Sequence, residues 1–414
     1  MKNVCRKITS CRVCKQRRLA KVLTLGPTPL ANAFITKKQL DQPERYFPLD
    51  VYFCQKCSML QLGHVISPEL LFGNYVYVSS TSPVFIKHFE DFVTDTHERF
   101  FLNSDSLVID IGSNDGILLA PFKKAGTRVL GIEPAKKIAR LAKKHGIPTL
   151  PNFFTVNLAR KIVKKHGNAD VITATNVFAH IDNLDEVISG LKVLLKEDGV
   201  FIIEAPYLID FLKKRYFDLV YHEHLSYWSV RTLITIFQRF GMVVFDVQKV
   251  AVHGGSIRVF VKNKDGIHKT TQNVEKFLAQ ERIMKLEKEA TYHAFAGEIQ
   301  ENKIALLRLL GRLKAEGKRI AAYGAPAKGN TLLNFFSIGT ETLDYVVDDS
   351  NWKQGLFTPG KKIPVVSSKQ MYVDRTDYML VLAWNFAESI MQNHQRFKDA
   401  DGKFIIPVPT PKVV

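Results

Sequence analysis

Four cysteines near the start of the chain have the residue type and the spacing of metal ligands. They form two C-x-x-C pairs, Cys11 with Cys14 and Cys54 with Cys57, and Cys5 lies outside this pattern. Each pair can place two thiolates on one metal ion, and two pairs complete a tetrahedral four-sulfur site. Because such a site has no open position, the sequence predicts a structural zinc ion.

A second cluster, Tyr221-His222-Glu223-His224, combines groups that donate and accept protons. Histidine titrates near neutral pH, which suits general acid–base chemistry. Two imidazoles and a carboxylate could equally bind a metal or belong to a surface loop. The order of the residues is not the helical H-E-x-x-H pattern, which disfavours a catalytic zinc ion.

A third stretch, L-V-I-D-I-G-S-N-D-G, predicts a buried strand followed by a glycine turn. Gly112 and Gly116 let the backbone turn and approach a ligand, and Asn114 tolerates the left-handed conformation. About 20 residues further on, another apolar run ends at Glu133, where a carboxylate can accept hydrogen bonds from ribose hydroxyls. The aspartate two residues before Gly112 favours S-adenosylmethionine (SAM) over a dinucleotide.

A sheet must bring these groups to one edge before they can act together. Apolar runs that alternate with helical patterns predict an α/β protein with a mainly parallel sheet. A turn is predicted at residues 197–199, and a closing antiparallel hairpin at residues 240–250 and 255–261. Open sheets of this kind bind ligands at the carboxyl ends of their strands. The rule places six residues around one crevice: Gly112, Glu133, Asn176, His180, Glu204 and Pro206.

A second strand–turn–helix unit is predicted near the C-terminal end. Residues 319–323 predict a strand, and the following turn contains Lys328 and Asn330. The charged residues 272–318 before it predict a helical spacer. Far upstream, Tyr75 and Tyr77 stand beside a cluster of serines and threonines, which suits a polar pocket or an ordinary strand edge.

Length and charge limit the class of protein. A chain of 414 residues needs two or three domains. No stretch has the roughly 18 uninterrupted apolar residues of a membrane helix, and the first 15 residues lack the apolar segment of a signal peptide, so we expect a cytoplasmic protein. The net charge is +18, but the lysines are spread in doublets typical of solvated helix faces. All five cysteines precede residue 58, which favours metal over disulfides.

Several short motifs follow one another along the chain: the two cysteine pairs, T-P-L-A-N, Y-V-Y-V-S-S, D-I-G-S-N-D-G, N-V-F-A-H, Y-H-E-H, H-G-G-S-I-R and Y-G-A-P-A-K-G-N. Together they resemble the nucleotide-sugar C-methyltransferases of deoxysugar biosynthesis, which use SAM to methylate C-3 of a 4-keto sugar. The resemblance implies a class I, Rossmann-like methyltransferase core at residues 71–266. It also implies a zinc-binding domain at residues 1–70, and a helical spacer with a C-terminal Rossmann-like α/β domain at residues 267–414.

The resemblance also implies roles for individual residues. His224 is expected to remove the C-3 proton, which the neighbouring C-4 carbonyl acidifies, and the resulting enolate takes the methyl group of SAM. The residues expected to orient the sugar and stabilise the enolate oxygen are Glu223, Tyr221, His180 and Tyr75, with Tyr77 as the alternative to Tyr75. The expected SAM contacts are Gly112, Asn114, Gly116, Glu133 and Asn176. The expected nucleotide-sugar contacts are Tyr77, Lys328 and Asn330. Apart from structural zinc, no second metal is needed.

Two other classes of protein could share some of these features. A nucleic-acid methyltransferase with a zinc-knuckle domain would suit the positive charge, but the sequence lacks a basic stripe interleaved with aromatics and an N-P-P-Y-like or cysteine nucleophile motif. A non-catalytic, zinc-dependent interaction protein would need neither Glu133 nor the Y-H-E-H cluster. We therefore expect a nucleotide-sugar substrate on dTDP or GDP, no nucleic-acid or membrane partner, and a monomer.

Overall fold

The N-terminal part of the chain folds as a small antiparallel sheet. The computed structural model describes residues 4–72 and 83–414. The first of these ranges contains β1 (Cys5–Lys7), β2 (Leu19–Thr28), β3 (Phe47–Cys54), β4 (Leu60–Leu62), β5 (His64–Ile66) and α1 (Pro68–Phe72). Alternate residues of β3 are buried, as expected for a strand with one covered face.

The outer strand of this N-terminal sheet comes from far downstream. Ser226 and Tyr227 pair antiparallel with Gln61 and Leu60 of β4. The sheet order places this downstream strand beside β4, followed by β3 and β2. The N-terminal sheet is therefore completed by the segment that follows the Y-H-E-H cluster.

A seven-stranded sheet forms the middle of the molecule. Its part of the chain contains α2 (Pro83–Arg99), β6 (Leu107–Ile111), α3 (Leu119–Lys124), β7 (Arg128–Ile132), α4 (Lys136–Lys144), β8 (Thr149–Leu150), α5 (Val156–His166), β9 (Ala169–Thr175), α6 (Leu184–Leu194), β10 (Leu195–Pro206), α7 (Leu208–Lys213), β11 (Ser226–Tyr227), α8 (Val230–Gln238), β12 (Met242–Val250) and β13 (Ser256–Asn263). The strand order is β12–β13–β10–β9–β6–β7–β8, and β13 alone among them runs antiparallel to its neighbours. This is the class I methyltransferase sheet, as predicted.

Two sequence expectations for this sheet had different outcomes. The closing hairpin is confirmed, because β12 and β13 pair antiparallel. The turn predicted at residues 197–199 is wrong. Leu195 already pairs with Ala169 of β9, so the chain enters the sheet before the predicted turn, and the polar residues after Leu195 form an irregularity in the register of β10.

The C-terminal part builds another open sheet. Its elements are α9 (Gln272–Ile283), α10 (Glu289–Ala315), β14 (Ile320–Tyr323), α11 (Ala327–Phe336), β15 (Val346–Val347), β16 (Val365–Val366), α12 (Gln370–Val373), β17 (Tyr378–Val381), α13 (Ala387–Asn393), α14 (Gln395–Asp399), β18 (Lys403–Ile406) and β19 (Lys412–Val413). The strand order is β16–β15–β14–β17–β18–β19, parallel except for β19. A second Rossmann-like sheet therefore follows the first.

The predicted helical spacer is confirmed as α9 and α10, but it also packs against the rest of the molecule. Tyr292 of α10 is buried, and its ring centroid lies 4.9 Å from that of Phe53 in β3. The other inward-facing residues of α10 include Ile299, Leu306 and Leu310. No helix in residues 4–72 and 83–414 is long and apolar enough to cross a membrane.

Candidate active site and metal centre

The four cysteines of the two C-x-x-C pairs meet where β3 ends. Their Sγ atoms all lie within 4.8 Å of one another. Cys11 and Cys57 are 3.6 Å apart at Sγ, and Cys14 and Cys54 are 3.5 Å apart. Sulfur ligands at about 2.3 Å from a tetrahedral zinc ion lie roughly 3.8 Å from each other, so the arrangement fits zinc. Cys5 is not part of this cluster.

The turn after β6 depends on its two glycines and its asparagine. Gly112 has a φ of +72°, and a Cβ there would lie 2.3 Å from a methyl carbon of Val177. Gly116 has a φ of +87°, and a Cβ there would lie 2.8 Å from Ile147. Asn114 has a φ of +48°, the left-handed conformation that the sequence predicts for it. Glycine is therefore required at both positions, by the left-handed backbone and by the close packing of Val177 and Ile147.

Glu133, at the end of β7, is tied to this glycine turn. One of its carboxylate oxygens accepts the backbone N–H of Asn114 at 3.0 Å, and the other accepts that of Ala135 at 2.8 Å. Burial raises the pKa of Glu133, and the two backbone hydrogen bonds oppose that rise. Each oxygen keeps a further lone pair, so the carboxylate can hold the turn and still accept a hydrogen bond from a hydroxyl group.

Several buried polar groups lie at or near the same turn, and among them only Asn176 was expected to contact SAM. Burial raises the pKa of Asp110 to about 7, and the Thr173 hydroxyl donates to its carboxylate at 2.6 Å. Ser113 Oγ, both carboxylate oxygens of Asp115 and Asn176 Oδ1 are buried without a hydrogen-bond partner among the described residues. Such groups are costly unless a ligand or water satisfies them. The motif D-I-G-S-N-D-G contains three of these groups, and their burial could not be read from it.

His224 is held in one tautomer by its neighbours. Its Nδ1 lies 2.8 Å from the carbonyl oxygen of Leu219, which can only accept, so Nδ1 carries the proton. The opposite nitrogen, Nε2, lies 2.7 Å from the hydroxyl of Tyr221. Nε2 is therefore the basic nitrogen of this imidazole, and a phenol that can donate a proton stands next to it.

His180 lies against His224 at the carboxyl end of β9. The two ring centroids are 4.9 Å apart and the rings are perpendicular. Burial lowers the pKa of His180 to about 4, while a hydrogen bond to the backbone of Asn176 opposes that effect. His180 is thus a neutral imidazole at physiological pH, and its single N–H is the group that bonds to the backbone of Asn176.

Glu223 is buried and receives a hydrogen bond from the N-terminal part of the chain. The side-chain amide of Asn32 donates to its carboxylate at 2.7 Å, and burial raises the pKa of Glu223 to about 7. Asn32 belongs to the motif T-P-L-A-N, which the sequence analysis used only for the family resemblance. This long-range contact was missed because nothing in the local pattern indicates which residue Asn32 meets.

His222, the second residue of Y-H-E-H, faces away from this cluster. Its Nε2 lies 3.2 Å from the carbonyl oxygen of Phe47, and the two rings meet edge to face with centroids 5.9 Å apart. Burial lowers its pKa to about 4. His222 therefore fastens the loop to β3, while His224 packs between Tyr221 and His180.

Lys328 and Asn330 lie inside α11 and not in a turn, so that expectation of the sequence analysis is wrong. The helix begins at Ala327, directly after Pro326, which suits the N-terminal boundary of a helix. Lys328 donates to Asn385, and its ammonium lies 3.4 Å from the ring centroid of Trp384. Burial lowers the pKa of Lys328 to about 7.

The surroundings of Lys328 and Asn330 connect the C-terminal sheet to the other two parts. Trp384 donates to the carboxylate of Asp218 at 2.5 Å, and Asp218 belongs to the same short turn as Leu219, the partner of His224. Asn330 donates to the carbonyl oxygen of Ala31 at 2.7 Å, beside Asn32. Both residues are buried, and short chains of contacts connect them to the Y-H-E-H cluster, through Trp384 and the Asp218 turn for Lys328 and through Ala31 and Asn32 for Asn330.

The two tyrosines of the Y-V-Y segment, Tyr75 and Tyr77, lie outside the described residues. A small cavity beside His224 is described, and it lies at the predicted crevice. Its lining includes Ala179, Pro206, Leu219 and Ser226. Of the six residues predicted around the crevice, Pro206 lines this cavity, whereas Glu204 is buried and bonded to Arg258 and His88.

Comparisons with known proteins agree with this architecture. Three families match along the chain: a zinc-binding domain at residues 11–72, a methyltransferase domain at residues 85–247 and a C-methyltransferase C-terminal domain at residues 251–409. The C-methyltransferase NovU of Streptomyces niveus is 38% identical over 100% of this chain and 99% of its own.

More distant similarities are limited to the middle of the chain. A ubiquinone biosynthesis O-methyltransferase of Pelagibacter ubique (strain HTCC1062) is 28% identical over 29% of this chain and 50% of its own. The solved magnesium protoporphyrin IX methyltransferase of Synechocystis PCC 6803 with bound SAH is 16% identical, with a TM-score of 0.34, and covers 43% of this chain and 83% of its own.

Fold, site and comparisons define a SAM-dependent class I methyltransferase that carries a structural zinc site. The sheet alone indicates a class I methyltransferase of any kind. The full-length similarity is to an enzyme that transfers the methyl group to carbon, which narrows the class to C-methyltransferases. The chain belongs to the C-methyltransferase family. Membership of this family excludes one of the two alternative classes: the chain is an enzyme and not a non-catalytic interaction protein.

Proposed function

We propose that this enzyme methylates C-3 of a 4-keto-deoxysugar linked to dTDP or GDP, with His224 as the base. The observation that carries the proposal is the hydrogen-bonding of His224. Leu219 fixes the proton on Nδ1, which leaves Nε2 as the acceptor. An imidazole in this state suits the removal of a proton acidified by a neighbouring carbonyl, because the nitrogen without a proton is the one that can accept it.

The neighbours of His224 fit the charge that develops during proton removal. The electron pair of the broken C–H bond moves to the C-4 oxygen, which needs hydrogen-bond donors as it becomes an enolate. The Tyr221 hydroxyl lies 2.7 Å from His224 Nε2, and the neutral ring of His180 packs against His224. Glu223, with a pKa raised to about 7, is protonated in part near neutral pH and can also donate. Tyr75, or Tyr77 in its place, would complete this set.

SAM, when bound, supplies an electrophilic methyl group, and the enolate carbon takes it as the sulfur leaves with the bonding electrons. The residues that would hold it are Gly112, Asn114, Gly116, Glu133 and Asn176, around the turn after β6. Glu133 would accept from the ribose hydroxyls, and support for Asn176 comes from its buried amide oxygen, which has no partner among the described residues. The carboxylate of Asp115 is a further candidate, because an ammonium group would satisfy it.

The remaining assignments complete the site. Cys11, Cys14, Cys54 and Cys57 would hold the zinc ion, and its closed four-sulfur shell leaves no position for a substrate. Lys328 and Asn330 are proposed to act on the nucleotide sugar from the C-terminal side. Since both are buried, they would act on the shape of the pocket through Trp384 and Ala31.

Glu133 gives a direct test of the SAM site. Glu133→Ala is expected to weaken SAM binding at least tenfold, because losing two hydrogen bonds to a charged acceptor costs roughly 2–4 kcal/mol. Glu133→Gln, which keeps the shape of the side chain, should give a smaller loss. Calorimetry with purified protein measures both, and Glu197→Ala, which removes an exposed carboxylate elsewhere on the sheet, serves as the charge control. An unchanged affinity in Glu133→Ala would remove this residue from the site.

The substrate class is tested with a panel of nucleotide sugars. The enzyme is incubated with SAM and with dTDP- and GDP-linked 4-keto-deoxysugars, and the products are analysed by mass spectrometry. We expect one member of the panel to gain the mass of a methyl group, with the label on C-3 when SAM carries a labelled methyl. Methyl transfer to RNA, or to none of the 4-keto sugars, would contradict the proposal.

A further inference from the structure

Arg12 lies between the two cysteines of the first C-x-x-C pair, and its guanidinium points into the interior. The residue is 5% exposed. Its backbone N–H donates to Gln61 Oε1 at 3.0 Å, and Nη1 donates to the carbonyl oxygen of Leu62 at 2.7 Å. A buried guanidinium is costly unless its donors are used, and here Nη1 alone makes hydrogen bonds, whereas Nε and Nη2 are buried with no hydrogen-bond partner among the described residues.

One of those acceptors belongs to the loop that carries His224. Arg12 Nη1 lies 3.3 Å from the carbonyl oxygen of Leu225, the residue directly after His224. The same carbonyl accepts the backbone N–H of Leu62 at 3.0 Å, and the N–H of Leu225 donates to Ala179 at 2.9 Å. The main chain next to His224 is therefore hydrogen-bonded to the N-terminal part of the chain, which contains the four cysteines.

The other end of the guanidinium reaches the loop that carries His180. Arg12 Nε lies 3.4 Å from a carboxylate oxygen of Asp182, two residues after His180. His180 and His224 meet with ring centroids 4.9 Å apart, so one guanidinium contacts the loops of both rings. The planar, forked geometry of arginine makes this double contact possible, whereas a lysine ammonium offers a single point.

We propose that Arg12 is a positioning residue for methyl transfer, which couples the metal-bound cysteine pair to the relative placement of His180 and His224. The inference rests on the proposed function, because His224 is taken as the base. The metal thereby does more than hold the N-terminal sheet together: the conformation of the Cys11–Cys14 pair sets where the guanidinium stands. A small displacement of a catalytic group is sufficient to lower a rate by about 100-fold.

The test compares Arg12→Lys with the wild-type enzyme. We expect kcat for methyl transfer, and the rate of deuterium uptake from solvent into C-3 of the sugar, to fall about 10- to 100-fold. The Kd for SAM should stay within about twofold and the zinc content should be unchanged, because neither site loses a ligand. If Arg12→Lys does not fold, Asp182→Asn weakens the same link from the His180 side and should lower the same rates while leaving SAM affinity unchanged. Because Asp182 also pairs with the exposed Arg6, Arg6→Gln is measured beside it and is expected to keep wild-type rates.

Arg239→Lys is the matched control for a general loosening of the metal-binding part. Arg239 donates to the carbonyl oxygen of Val13 at 2.5 Å and pairs with Asp185 at 3.1 Å, so it tethers the same cysteine pair without touching either histidine loop. Its rates are expected to equal those of the wild type. Wild-type rates in zinc-loaded Arg12→Lys, or an equal loss in Arg239→Lys, would overturn the proposal.

A readout that needs no substrate separates this inference from the proposed function. NMR of nitrogen-labelled histidine reports whether Nδ1 of His224 holds its proton, and a His224→Asn sample assigns the signal. We expect one fixed tautomer in the wild type and in Arg239→Lys, and an averaged signal in Arg12→Lys. An unchanged signal in Arg12→Lys refutes the role of Arg12, whereas a wild type that methylates no 4-keto sugar refutes the proposed function only.

Discussion

Replacing His224 by asparagine is expected to lower both methyl transfer and deuterium exchange at C-3 about 100-fold or more, the usual size of a general-base contribution. Asparagine keeps a polar side chain that can donate to Leu219, but it cannot accept a proton at neutral pH. Exchange is measured by mass spectrometry in deuterated buffer with SAM replaced by its demethylated product. The affinity for SAM should stay within a few-fold, because the SAM contacts are on other loops.

His222→Asn is the matched control for this experiment. His222 bonds to the backbone of Phe47 and lies away from the cluster, so its loss is expected to lower stability and leave exchange by the folded protein intact. A folded His224→Asn variant that exchanges deuterium at the wild-type rate would contradict the assignment of His224 as the base. The search would then move to His180, the ring that packs against it.

Removing one metal ligand is expected to abolish folding of the N-terminal part. The four thiols are mostly buried beside a sheet that has few strands of its own, so metal binding supplies much of its folding free energy. Cys54→Ser should give aggregated or poorly folded protein, while Cys5→Ser, outside the cluster, should behave as the wild type. Circular dichroism and size-exclusion chromatography measure both variants.

Elemental analysis completes the metal prediction. We expect one zinc ion per chain in the wild type and in Cys5→Ser, and its loss on treatment with a strong chelator should accompany unfolding of the N-terminal sheet. Well-folded, active enzyme that contains no metal would be incompatible with a structural zinc ion at these cysteines.

Local sequence patterns predicted the parts of the site that depend on a few neighbouring residues. The C-x-x-C spacing predicted the cysteine cluster, because each pair forms within one turn of chain. The apolar run before Gly112 and the acid at Glu133 predicted the strand, turn and second strand, since a βαβ unit is also a local arrangement. The left-handed Asn114 followed from its residue type.

Contacts between distant parts of the chain could not be predicted in the same way. Asn32 bonds to Glu223, and His222 faces β3 while its neighbours face the crevice. These outcomes depend on how the N-terminal sheet docks, and hydrophobic periodicity carries no information about docking. For the same reason Lys328 was expected in an open turn, and it is buried against Trp384.

The strand β11 limits where this chain can be divided. Modules that spread by genetic recombination must fold apart from their neighbours. A fragment ending at residue 72 would instead leave β4 as an unpaired edge, which invites aggregation, because its partner Ser226–Tyr227 is encoded far downstream. In this chain the cysteine-bearing sheet and the segment after the Y-H-E-H cluster therefore form one structural unit, and a fragment that lacks either part leaves the other with an open strand edge.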